Sequence, residues 1–226
     1  MNKFLILLTA MLGISQLSIA QTEKGSQTLG LNFSYSGTSY SDNMFNNSNF
    51  VNSFSKVKNT NFALGPLYSY FIADRVDLGA SFSLNSFTTS TKSPNFSTAE
   101  SRNHNKNYEA LIYVRKYFLY AGKIGVRTGP YIGYAWGNQG YSYQDSQSDN
   151  VLSQKSHGYE AGARLEAVYF PSKRLGVSAT IANFQYEHFN GRTSSNSGIE
   201  QTNGNNINFA FINNGLGLSL FYVFSK

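Results

Sequence analysis

Apolar and polar side chains alternate along eight segments of the chain. In residues 160–171, one face would carry Ala161, Ala163, Leu165, Ala167 and Tyr169, and the other Glu160, Gly162, Arg164, Glu166, Val168 and Phe170. Alternate side chains of a β-strand point to opposite faces, so each segment predicts a strand with two unlike faces. The eight segments are residues 26–37, 61–72, 76–87, 107–118, 123–137, 160–171, 175–186 and 208–224.

The connections between these segments alternate strictly between short and long. The short connections lie near residues 73–75, 120–122 and 171–174, and the long ones span roughly residues 41–57, 88–106, 139–156 and 191–206. Such alternation is typical of an up-and-down antiparallel sheet with all tight turns at one end. The sequence therefore predicts an all-β fold, an eight-stranded antiparallel transmembrane β-barrel with short periplasmic turns and long extracellular loops.

Glycine indicates which face of the strands is the interior. Most strand glycines and most mid-strand charges share the polar face. An eight-stranded barrel is just wide enough for side chains to fill, and glycines beside long charged groups let those groups cross the lumen. On a solvent-facing surface the same glycines would only weaken the strands. We therefore predict that the polar face lines the lumen and the apolar face meets lipid.

The predicted interior carries both signs of charge. Charges in a narrow lumen must pair or be hydrated, because an isolated buried charge is costly. We expect a salt-bridge network that plugs the barrel, and the alternative is a gate in a narrow polar pore. The network residues are Asp77, Glu109, Arg115, Arg127, Glu160, Arg164 and Glu166.

Aromatic residues make up 15% of the chain and cluster near both ends of the predicted strands. Two aromatic girdles around an aliphatic band are typical of a protein that crosses two lipid–water interfaces. The predicted girdles contain Tyr35, Tyr70, Tyr108, Tyr134, Trp136, Tyr159, Tyr169, Tyr222 and Phe224.

The first 20 residues have the layout of a secretory signal peptide. Lys3 precedes an apolar run over residues 4–14, and Ser18-Ile19-Ala20 gives a small-x-small ending. The run is too short for a membrane anchor helix, which is the alternative. We predict a cleaved signal at residues 1–20 and a single barrel domain at 21–226.

The strand pattern over residues 26–225 resembles the small Gram-negative outer-membrane β-barrels of the OmpA/OmpX-like type, in the outer membrane protein β-barrel domain and porin family. The last segment, GLGLSLFYVF at residues 215–224, is similar to the C-terminal assembly signal of such barrels. The resemblance implies an integral outer-membrane location, contact with outer-membrane lipid and recognition of the last strand by the barrel assembly machinery. The long polar loops have two interpretations, namely flexible hydrophilic tips or a surface for an extracellular ligand or phage, because binding often resides in loops on a rigid scaffold.

The candidate chemistry of the chain is sparse. The chain has no Cys, and His104, His157 and His188 show no hydrolase pattern and no metal-ligand spacing. The net charge of +6 is scattered, which disfavours nucleic-acid binding. We expect no cofactor, no metal and no catalytic residue, and a non-enzymatic role in envelope integrity or surface interaction. The alternatives are a narrow porin-like channel, a lipid A-modifying enzyme and a soluble periplasmic lipocalin-like barrel.

Overall fold

The computed structural model describes residues 22–46, 51–92, 100–145, 148–195, 198–211 and 217–224. The predicted signal peptide lies outside the described residues. Within them, the chain forms nine β-strands: β1 Gln27–Asn46, β2 Val51–Ala73, β3 Val76–Lys92, β4 Glu100–Tyr120, β5 Ile124–Asp145, β6 Ser148–Tyr169, β7 Leu175–Ser195, β8 Gly198–Phe211 and β9 Gly217–Phe224.

The nine strands form a ring of eight, because β8 and β9 are two parts of the eighth strand. Each strand from β1 to β7 pairs antiparallel with the next, and β7 then pairs with β8 over residues 182–195 and with β9 over residues 175–179. Pairing of β9 with residues 27–34 of β1 closes the ring. The predicted eight-stranded up-and-down barrel is confirmed.

The strands are longer than the alternation of apolar and polar residues suggests. β1 to β7 each contain 17 to 23 residues and continue through most of the ranges predicted as long connections. For example, β5 and β6 stay paired up to Asp145 and Ser148. These connections are therefore largely β-hairpins, in which both faces are polar and the two-residue alternation is lost.

Large apolar side chains cover the outside of the barrel. Ile112 and Ile132 are register partners in the middle of the apolar band, and they are 56% and 63% exposed. Their neighbours along the strands, Leu111, Tyr113 and Tyr131, point into the lumen and are buried. Among the described residues, no helix is long and apolar enough to cross a membrane.

The short-turn end of the barrel is closed by backbone as well as by side chains. Arg75 occupies the left-handed region with φ 61°, which allows the two-residue turn between β2 and β3. The segment before β1 folds across this end, where Arg75 N donates to Thr22 O and Gly25 N donates to Phe71 O. Thr22 and Ser26 are buried by this arrangement.

Candidate functional site

Two cross-strand ion pairs form the centre of the lumen. Asp77 on β3 and Arg115 on β4 are register partners, and the guanidinium donates from Nε to Oδ1 (3.1 Å) and from Nη2 to Oδ2 (2.7 Å). Arg127 on β5 and Glu166 on β6 are also register partners, with Nε donating to Oε2 at 2.7 Å. Strand register thus places each arginine beside its carboxylate, and the Asp77 pair has the forked geometry that strengthens such contacts.

The two pairs are joined into one electrically neutral cluster. Arg115 Nη1 lies 3.5 Å from Glu166 Oε2. The Tyr117 hydroxyl donates to Asp77 Oδ2 and accepts from Arg127 Nη1, both at 3.0 Å. Asp77 and Arg127 are 0% and 1% exposed. Two positive and two negative charges balance here, which offsets the large cost of removing them from water.

Hydroxyl groups from three further strands complete this cluster. Ser178 Oγ on β7 accepts from Arg127 Nη2 at 2.7 Å. Ser69 Oγ on β2 donates to Asp77 Oδ2 at 2.8 Å and lies 2.6 Å from Thr28 Oγ1 on β1. We call the whole set the plug. It consists of Thr28, Ser69, Asp77, Arg115, Tyr117, Arg127, Glu166 and Ser178.

Four plug residues, Thr28, Ser69, Tyr117 and Ser178, are not among the predicted network residues. Their positions in the sequence do predict a lumen-facing side chain, because each lies on the same strand face as other lumen-facing residues. Tyr117 lies two residues after Arg115, and Ser69 is the register partner of Gly79, which lies two residues after Asp77. Including hydroxyl-bearing residues of the lumen-facing strand face, as well as charged ones, would have predicted all four as network residues.

An apolar cluster, which we call the seal, packs against the plug, shares Tyr117 with it and extends toward the short turns. In this seal, the rings of Phe71 and Tyr117 lie 5.4 Å apart and those of Phe170 and Phe221 lie 5.7 Å apart. All of its members are 2% exposed or less. The seal consists of Leu67, Phe71, Tyr117, Val168, Phe170, Phe221 and Val223. The lumen is therefore filled by polar groups at the plug and by hydrophobic groups at the short-turn end.

Glycine makes room for lumen aromatics at two places. A Cβ on Gly79 would lie 2.6 Å from the ring of Tyr113, and a Cβ on Gly162 would lie 2.7 Å from that of Tyr131. Both tyrosines lie on the hairpin side of the plug, where Arg115 covers the Tyr113 ring at 4.0 Å. The absence of a side chain at these glycines lets each ring cross the narrow lumen.

The other three predicted interior charges lie nearer the hairpin end and outside the plug. Arg164 lies over the Tyr131 ring, 5.1 Å from its centroid, and makes no ion pair within 4 Å among the described side chains. Glu160 accepts from Gln185, and Glu109 accepts from Ser83 Oγ at 3.5 Å. The structure thus brings four of the seven predicted charges together and leaves three outside that cluster, of which Glu160 is also buried.

Two cavities occupy the lumen beyond the plug. One has a volume of about 290 Å³ and is lined in part by Asn32, Glu109 and Arg164. The other has a volume of about 170 Å³ and contains the side chains of Glu160 and Glu187. The lumen is therefore open toward the hairpins and filled toward the short turns.

The residues predicted as girdles form aromatic contacts on the outside of the barrel. At the hairpin end, the Tyr108 and Trp136 rings lie 5.7 Å apart and those of Tyr134 and Tyr159 lie 5.2 Å apart. At the short-turn end, Tyr222 and Phe224 lie 4.8 Å apart. Tyr35, Tyr70 and Tyr169 also face outward, with Tyr35 58% and Tyr70 39% exposed.

The three histidines lie on the outward face of their strands. His104 Nδ1 is 3.0 Å from Thr88 Oγ1, and His188 Nδ1 is 2.9 Å from Asn205 Oδ1. The His157 ring lies 6.5 Å from that of Tyr134. In the described part of the chain, no hydrogen bond joins these histidines to a serine and a carboxylate, and no His, Asp and Glu side chains group as metal ligands.

A barrel that is apolar outside and polar inside has the fold of an outer-membrane β-barrel protein. No family model matches the chain, and no curated protein matches its sequence. The fold is similar to that of the outer membrane protein OprG from Pseudomonas aeruginosa, with 12% identity over 92% of this chain and 100% of that one and a TM-score of 0.46.

Two further solved structures are similar in the same way. A major outer membrane protein from Thermus thermophilus is 12% identical over 88% of this chain and 99% of its own, with a TM-score of 0.43. The outer membrane protease OmpT from Escherichia coli is 10% identical over 92% of this chain and 96% of its own, with a TM-score of 0.35.

Proposed function

We propose that the chain is an integral outer-membrane protein with a closed lumen. It acts without catalysis, in envelope integrity or in surface contacts made by its extracellular hairpins. The observation that carries this proposal is the plug together with the seal, because they fill the lumen from the charged centre to the short turns. Opening a solute path would require breaking buried ion pairs and exposing buried aromatic rings at the same time.

The paired length of the hairpins supports a role in surface contact. β5 and β6 remain in register from Gly137 and Ser156 to Asp145 and Ser148, beyond the girdle residue Trp136. At about 3.4 Å per residue, these nine pairs extend the ladder by about 30 Å along the strands. A paired extension of this length presents a surface well outside the predicted lipid band.

Conductance in planar bilayers tests the closed lumen. We expect the purified protein to give no unitary current steps. We expect Arg127→Ser/Phe221→Ser to give steps, because this double variant removes the link between Glu166, Tyr117 and Ser178 and also one ring of the seal. Arg174→Ser is the matched control, since Arg174 lies exposed in the turn before β7. Steady unitary steps from the unaltered protein would contradict the proposal and favour a narrow porin-like conduit.

A shortened hairpin tests the surface role. Replacing residues 139–154 by Asn-Gly removes the outer part of the β5–β6 ladder and retains Trp136 and its partner His157. We expect this variant to insert normally but to lose cell-surface adhesion or phage attachment that cells gain on expressing the full protein. Equal adhesion by both proteins would contradict a role of the β5–β6 hairpin in surface contact. Lipid A of unchanged mass with and without expression is expected for a non-enzymatic barrel.

A further inference from the structure

A row of long polar side chains crosses the outward face of β4 to β7. Lys106 is in register with Asn138, Asn138 with Lys155, and Lys155 with Arg192. All four side chains are exposed. We call them the basic row. Lys106 lies two residues beyond Tyr108 on the same face, so the row begins where the aromatic girdle ends.

The basic row places like charges directly opposite each other. Lys155 and Arg192 are register partners on the same face, where side chains lie about 5 Å apart and like charges destabilise the sheet. Among the described side chains, no carboxylate forms an ion pair with either residue. The carboxylates Glu109, Glu160 and Glu187 on the same strands lie on the lumen-facing side. An anion from outside the protein would relieve this repulsion.

An apolar groove runs along the same face on the lipid side of the basic row. It has a volume of about 600 Å³ and includes Ala110 and Ala161 between the larger side chains of Tyr134, Tyr159 and Tyr186. Tyr159 lies four residues from Lys155 along β6, and Tyr186 lies six residues from Arg192 along β7. The groove and the basic row thus form one surface, apolar toward the middle of the barrel and cationic toward the hairpins.

We propose that this surface binds a phosphorylated membrane lipid. Lys106, Lys155 and Arg192 take the phosphate groups, and the groove takes an acyl chain. Arginine and lysine are suited to phosphate, and basic side chains near a membrane surface favour anionic lipid. A free phosphate would leave the groove empty, whereas a lipid fills both parts of the surface. This inference rests on the membrane location proposed above.

Trp136 is a built-in reporter for this surface. It is the only Trp in the chain, it is the register partner of Tyr108, and it lies two residues before Asn138 on the same face. Brominated phosphatidylcholine that contacts Trp136 quenches its fluorescence. A lipid without bromine that displaces it restores the signal, so the recovery measures how strongly that lipid is preferred at this site.

The experiment uses the folded protein in brominated phosphatidylcholine vesicles, titrated with bisphosphorylated lipid A or with the same lipid A after its phosphates are removed. We expect recovery of Trp136 fluorescence at a mole fraction about tenfold lower for the phosphorylated lipid. Lys155→Gln/Arg192→Gln should abolish that preference. Lys56→Gln/Lys58→Gln, which removes two exposed charges on β2, should retain it, as should the charge-conserving Lys155→Arg.

Three outcomes would overturn the inference. In the first, both forms of lipid A restore Trp136 fluorescence equally. In the second, the two double variants lose the preference for phosphorylated lipid A to the same extent. In the third, inorganic phosphate alone restores the fluorescence. Heat-dependent gel mobility is recorded for every variant in the same vesicles. A protein that inserts but shows no phosphate preference contradicts only the lipid site, whereas a protein that never inserts contradicts the membrane location itself.

Discussion

Replacing Arg127 by Met isolates the contribution of the plug to stability. The substitution keeps much of the side-chain volume and removes the donors to Glu166, Tyr117 and Ser178. The plug then holds two carboxylates and the single guanidinium of Arg115, whose Nη1 lies 3.5 Å from Glu166 Oε2. Glu166 is left buried without its main partner.

The expected loss follows from the burial of these groups. Arg127 is 1% exposed and Glu166 is 5% exposed, so both charged groups are largely removed from bulk water. Breaking one partner of a buried ion pair costs about 3–5 kcal/mol. We expect Arg127→Met and Glu166→Met each to lower the free energy of unfolding by this amount. The double variant restores a neutral plug and should lose far less than the sum, because apolar groups of similar volume replace a buried pair at little net cost.

The assay is urea unfolding of the protein reconstituted in lipid vesicles, followed by circular dichroism and heat-dependent gel mobility. Arg174→Met, at an exposed turn, is the control and should change the free energy of unfolding by less than about 0.5 kcal/mol. Two single variants that each cost under about 1 kcal/mol, or a double variant whose loss equals their sum, would refute the assignment of a coupled buried plug.

Two further substitutions probe the faces of the strands. Leu165→Arg places a charge between the girdle residues Tyr159 and Tyr169 on the outward face of β6. It should cost about 2–4 kcal/mol in the same urea assay, with Leu165→Ala as control. A cost near zero would place Leu165 in water. Gly79→Ala puts a methyl group 2.6 Å from the Tyr113 ring and should cost about 1–3 kcal/mol. In the control Gly140→Ala, the added Cβ has no neighbouring atom closer than 3.9 Å, so the free energy of unfolding should hardly change. Equal changes for the two glycine variants would show that Tyr113 moves aside freely.

The alternation of residues predicted the barrel, and the glycines and charges shared by one face predicted that this face lines the lumen. Side chains alternate between the two faces of a strand, so assigning one residue to a face fixes the others. Ile112 and Ile132 therefore lie outside, and Asp77 and Arg127 lie inside. The hairpin extensions were not predictable in this way. Beyond the predicted lipid band neither face meets lipid, so a segment such as residues 139–145 carries no aliphatic side chain although its backbone stays paired.

The sequence identified the charges of the lumen but not their partners. Pairing of Arg127 with Glu166 depends on strand register, which puts them directly opposite, whereas Arg164 is opposite Gly129 and stacks on Tyr131. The seal was also missed. Phe71 and Phe170 share the lumen face with polar residues, and they interrupt the polar pattern only near the short-turn end.

The strands carry lipid-facing side chains outward and polar side chains inward, and site-directed labels test this arrangement directly. Because the chain has no Cys, single cysteines at positions 161 to 168 of β6 can each carry one nitroxide label. In lipid vesicles, accessibility to oxygen, which partitions into lipid, should peak at positions 161, 163, 165 and 167. If a water-soluble nickel complex reaches those four positions instead and oxygen does not, the outward face meets water and the account is wrong.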